Sequence, residues 1–114
     1  MTRLALVLVF LVSPAGAEPL EGAFRGVFNE LTLSVTDGKA VAEVASGACL
    51  GYLEGGVSEV ADGRWEILGS VPEAPCVLSL TRGGDGRIEM IEGPGCSFYH
   101  GMSCELSGIL EAAQ

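Results

Sequence analysis

Apolar and polar residues alternate along most of this chain with a period of two. Leu31, Leu33 and Val35 share one face of a segment whose other face carries Thr32, Ser34 and Thr36, the signature of a half-buried strand. Trp65, Ile67 and Val71 keep one parity, with Glu66 and Ser70 opposite. Cys76, Leu78 and Leu80 repeat the pattern, followed by Ile88 and Met90, then Leu106 and Leu110. Phe24 and Phe28 flank Gly26 on a first strand. No long stretch after the N-terminus shows the 3.6-residue repeat of an amphipathic helix.

Turn residues fall between these runs. Asp37-Gly38, Asp62-Gly63 and Gly83-Gly84-Asp85-Gly86 supply the positive φ that tight hairpins need. They predict hairpins joining 30–36 to 39–46, 49–60 to 64–71, and 76–82 to 86–92. Val71-Pro72-Glu73-Ala74-Pro75 is a non-helical connector. Segments 22–28 and 104–111 complete about eight strands, and the Ala-rich tail after Leu110 frays or forms one helical turn. The expected fold is all-β: a small antiparallel up-and-down meander that curls into a closed or nearly closed barrel and so removes its edges. An open two-layer sandwich is the alternative. Gly55-Gly56 breaks the parity of the 49–60 strand, and a bulge or sharp bend is expected there. The Ala- and Gly-rich interior predicts a narrow, filled barrel rather than a hollow one.

The first residues read differently. Arg3, the apolar run Leu4 to Val12 and Ala15-Gly16-Ala17 have the order of a secretory signal, and the run is far short of the roughly 20 residues of a membrane span. Residues 1–17 are therefore expected to be a cleaved signal peptide and 18–114 a single domain, periplasmic or secreted and free of the membrane after cleavage. The whole chain carries a net charge of −9, and loss of Arg3 makes the balance more acidic. That argues against a nucleic-acid surface, which needs clustered Lys and Arg. It allows attraction to a basic protein partner, or simply keeps a small monomeric domain soluble.

Four cysteines behind an export signal predict two disulfides, with three possible pairings. Cys49 and Cys76 lie at equal distances before and after the Asp62-Gly63 turn, so equal hairpin arms pair Cys49 with Cys76. Cys96 then closes a short ring with Cys104.

That ring holds the candidate site: Phe98, Tyr99, His100 (the sole histidine) and Met102. A short ring displaying aromatics is a preorganised binding surface; alternatively Phe98 and Tyr99 plug one end of the barrel. His100 and Met102 suit a soft ion such as Cu(I), but they are too few ligands once the cysteines are oxidised, so no metal or cofactor is expected. Ser97 or Ser103 beside His100 suggests hydrolysis, yet neither a Gly-x-Ser-x-Gly elbow nor a Cys-x-x-Cys pair is present. The expectation is a non-enzymatic binding or inhibitor-like module that presents this loop to a protein or cell-envelope component. A structural or accessory envelope protein without a discrete site, and a soft-metal-handling protein, are the alternatives.

The block Cys96-Ser97-Phe98-Tyr99-His100-Gly101-Met102-Ser103-Cys104-Glu105-Leu106-Ser107-Gly108, with Cys49 and Cys76 before it, resembles small uncharacterised exported proteobacterial disulfide-bonded proteins. In size, disulfides and strand number the chain is also distantly similar to periplasmic inhibitors of c-type lysozyme, small β-barrels that insert a loop into the enzyme cleft. Their Ser-Gly-x-x-Tyr segment has no counterpart: Ser107-Gly108 is followed by Ile109, Leu110 and Glu111. The likeness is therefore one of architecture.

Overall fold

Alternation dictates which residues turn inward. In the computed structural model, which describes residues 19–113, eight strands run in chain order: β1 (Gly22–Gly26), β2 (Leu31–Thr36), β3 (Lys39–Ser46), β4 (Cys49–Ala61), β5 (Arg64–Gly69), β6 (Val77–Arg82), β7 (Ile88–Glu92) and β8 (Gly108–Ala112). Each pairs antiparallel with the next, and β1 pairs with β8, so the sheet closes into the expected up-and-down barrel. The inward residues Leu31, Leu33, Val35, Leu53, Trp65, Ile67, Leu78, Leu80, Ile88, Met90 and Leu110 are buried and form one core. The barrel is filled by these side chains. At about 25 cal/mol per Å² of apolar surface removed from water, each fully buried Leu or Ile contributes roughly 1.5–3 kcal/mol before entropy is subtracted.

Several element ends differ from the expectation. β1 stops at Gly26, and Phe28 lies beyond it with 82% of its surface exposed. β5 stops at Gly69, so Val71 faces solvent rather than sharing the core with Trp65 and Ile67. As far as Ala113 the tail neither frays nor turns helical: β8 continues to Ala112, which pairs with Phe24 and closes the barrel. Residues 104–107 precede β8 as loop, although Leu106 is buried as its parity suggests. The signal-peptide assignment falls on residues 1–17, outside the described residues.

The long strand β4 is the pivot of the barrel. Its first part, Cys49 to Gly56, pairs with β3, and only Gly55 to Ala61 pairs with β5. The register runs unbroken through Gly55 and Gly56. The bulge lies instead between Glu59 and Ala61, so the irregularity sits at Val60. Gly55 marks the handover between partners, where a Cβ would fall on the carbonyl oxygen of Leu68.

This stagger overturns the expected disulfides. The bonds are Cys49–Cys104 and Cys76–Cys96. The Asp62-Gly63 hairpin ends at the Gly55–Gly69 pair, and the Gly69 N–H donates to the Cys76 carbonyl at 2.9 Å. Cys76 therefore lies level with Gly69, while β4 runs on from Gly55 to Cys49, about 20 Å away at the usual rise per residue. No equal-armed pairing joins them. The segment between β7 and β8 reaches both, one cysteine at each end.

Candidate functional site

The β7–β8 connection crosses the end of the barrel and returns. It leaves β7 at Glu92 and turns at Gly95, whose φ of 88° is left-handed and whose added Cβ would lie 2.5 Å from the Pro75 carbonyl. It then forms a 3₁₀ turn over Cys96–Tyr99. Cys96 is fully buried and bonded to Cys76. His100 bridges Gly51, and the Gly101 N–H donates to the Leu50 carbonyl at 3.0 Å. The loop thus covers part of the β4 edge that β5 leaves unpaired, before Cys104 ties it to Cys49.

Two glycines permit this approach. A Cβ on Gly51 would sit 2.7 Å from the His100 Cβ and 2.8 Å from Val44 Cγ1. A Cβ on Gly101 would sit 2.7 Å from the Cys49 sulfur.

The four candidate residues separate into two pairs. Phe98 is 75% exposed and Met102 fully exposed. Tyr99 instead packs against the core, and its hydroxyl donates to the Ala74 carbonyl. His100 is also turned inward, its side chain only 7% exposed. The loop therefore turns Cys96, Tyr99 and Leu106 to the core side and leaves Phe98 and Met102 facing solvent.

His100 is held from both ring nitrogens. Nδ1 lies 2.6 Å from the Gly101 carbonyl oxygen, and Nε2 lies 3.0 Å from Glu92 Oε1 and 3.1 Å from Oε2. With both nitrogens facing acceptors, the doubly protonated imidazolium makes the most bonds. Burial pulls the imidazole pKa down, but the Gly101 carbonyl, the Glu92 carboxylate and the charge of Glu105 together hold it above its ordinary value. Glu92 was not evident from sequence. Besides His100, its Oε1 accepts from the Leu106 N–H at 2.9 Å, while its own N–H donates to Ser107 Oγ at 2.9 Å.

These contacts bear on the other chemistry considered. Both ring nitrogens of His100 are engaged by Glu92 and Gly101, and among the described residues the serine hydroxyl joined to this cluster is that of Ser107, through the backbone of Glu92. Among the described residues no group of three or more His, Cys, Asp and Glu side chains is placed to hold a metal ion, and all four cysteines are oxidised.

A second surface was not singled out by sequence. On the outward face of β4, Leu50 is 67% and Tyr52 50% exposed. They line a groove of about 580 Å³ together with Glu30, Thr32, Glu43 and Tyr99. The signal was available: Leu50, Tyr52 and Glu54 share the parity opposite Leu53, so an apolar and an aromatic residue stand where a polar one is usual.

Comparison with known proteins found no matching family model, no matching curated protein and no matching solved structure.

Proposed function

We propose that the protein is an exported, non-enzymatic binding module that presents the tip of the Cys96–Cys104 segment to a basic protein or a cell-envelope component. The observation that carries this reading is the outward placement of Phe98 and Met102 on a loop whose flanking residues are fixed by two disulfides and by the Tyr99 and His100 contacts. Apolar side chains held in the bound arrangement lose little entropy on docking, and aromatic residues in such positions dominate interface energies. Export is supported by the order of residues 1–17 and by the two disulfides, which suit an oxidising compartment.

The test is capture from cell-envelope extract on immobilised, disulfide-intact protein, compared with the Phe98→Ser/Met102→Ser double variant. Both side chains point to solvent, so the variant should keep its thermal midpoint while losing the captured partner. Equal capture by both proteins would refute the reading. A c-type lysozyme is the natural purified candidate, given the barrel architecture and the acidic charge, and an inhibition assay with the same two proteins decides that narrower case.

A further inference from the structure

The outer wall of a small barrel is ordinarily polar, and most of this one is. The face of β2, β3 and β4 departs from that pattern at Leu50 and Tyr52, as the wall also does singly at Val60, Leu68 and Ile91. Thr32 lies opposite Glu43 and Glu43 opposite Tyr52, forming a row across three strands; Leu50 lies beside it, opposite Ala45. The groove over this row has Leu50 and Tyr52 as apolar lining and Glu30 and Glu43 as acidic lining. Glu54 follows Tyr52 on the same outward face.

The carboxylates here are left out of the ion pairs among the described residues. Those pairs join Arg25 and Arg87 to Glu111 and His100 to Glu92; none takes in Glu30, Glu43 or Glu54. The field of Glu54 and Glu43 is felt at the aromatic ring. Glu54 chiefly, then partial burial and Glu43, hold the Tyr52 phenol above its ordinary pKa. An exposed aromatic face in a negative field, beside an apolar residue, is complementary to a flat cation on an aliphatic stem.

We infer that the Leu50–Tyr52 groove receives an arginine side chain from a protruding segment of a basic protein partner. The guanidinium plane stacks on Tyr52 and its N–H groups reach Glu43 and Glu30, while the methylenes lie along Leu50. Lysine fits less well, because its compact ammonium is strongly hydrated and neither stacks nor forks. A second copy of this chain fits poorly, since two molecules of net charge −9 repel. The inference goes beyond the loop reading and does not use Phe98 or Met102.

The experiment is an amide-shift titration of the disulfide-intact protein at low ionic strength. The probe is a blocked pentapeptide with one central arginine between glycines, and its citrulline and lysine counterparts are the controls. The expected result is saturable shifts confined to Thr32, Glu43 and Leu50 to Glu54, weaker with lysine and absent with citrulline. Tyr52→Ala and, separately, Glu43→Gln should each weaken the arginine peptide about two- to fivefold; both side chains point outward, so native amide dispersion should persist. The Phe98→Ser/Met102→Ser protein should bind the peptide as the wild type does, which separates this site from the loop. Shifts spread over the acidic surface in general, equal response to lysine or citrulline, or indifference to both variants would overturn the inference. So would concentration-dependent shifts at the groove without peptide, because the occupant would then be a second copy.

Discussion

His100 Nε2 stands 3.0 Å from Glu92 Oε1, which ties the middle of the β7–β8 connection back to the strand it left. The same carboxylate accepts the Leu106 N–H, so one side chain at the end of β7 fastens both the outgoing and the returning limb of the loop.

This arrangement fixes the sign of a pH dependence. The His100 pKa is raised in the folded state, so the folded protein binds the proton more tightly than the unfolded chain does. The stabilisation is complete below the unfolded value of about 6.5 and is lost as pH rises through the folded value. Urea midpoints measured from pH 6 to 8.5 should therefore fall with rising pH, and His100→Gln should flatten that slope. Stopping at pH 8.5 keeps clear of Tyr52, whose phenol titrates higher still. A wild-type profile that is level or rises across this range would show that the ring is not held as described.

Phe98 and Tyr99 are neighbours in sequence with opposite duties. Their rings meet edge to face at 5.5 Å, but only Tyr99 packs on the core and donates to Ala74. Tyr99→Phe should cost about 1 kcal/mol for the lost hydrogen bond, and Tyr99→Ala roughly 2–4 kcal/mol as packing goes too. Phe98→Ala should stay within about 0.5 kcal/mol of wild type, as surface changes usually do. Thermal and urea unfolding of the three variants gives the comparison; equal losses at the two positions would contradict the division.

Most strand positions were readable from sequence because they rest on local signals, the Leu31-Leu33-Val35 alternation and the glycines after Asp37 and Asp62. A closed barrel was the expectation that followed from the up-and-down order of those hairpins. The disulfides were not readable. Their pairing depends on how far β4 slides past β5, and that offset is set by barrel shear, which no local pattern records. Glu92 was hidden for a similar reason. It is one of fifteen acidic residues, and its distinction comes only from the loop folding back onto it. Within the loop, the aromatic pair stood out, but the split between them arises from the 3₁₀ turn, which sends Phe98 outward while Tyr99 meets the core.

The two disulfides should be unequal. Cys49–Cys104 spans 55 positions and Cys76–Cys96 spans 20. Loop-closure entropy then assigns roughly 4 kcal/mol to the first and roughly 3 kcal/mol to the second. Non-reducing peptide mapping should recover those two linked pairs, and paired Cys→Ser variants should lose stability in that order. Recovery of Cys96 linked to Cys104 would refute the connectivity outright.

Gly55 and Gly56 are adjacent on β4 yet differ in what surrounds them. A Cβ at Gly55 would strike the Leu68 backbone, whereas one at Gly56 would find its nearest atom, the Gly38 carbonyl oxygen, 4.0 Å away. Backbone on the neighbouring strand cannot step aside as a flexible side chain can, so Gly55→Ala must displace β4 from β5 where the barrel changes partners. That displacement should cost about 1–3 kcal/mol or more, as overpacking does. Gly56→Ala meets no such obstacle and lowers the entropy of the unfolded chain; it should be neutral or stabilise by up to about 1 kcal/mol. Urea unfolding of the two single variants decides the matter. Similar midpoints for both would mean that the handover at Gly55 is looser than the close approach of Leu68 implies.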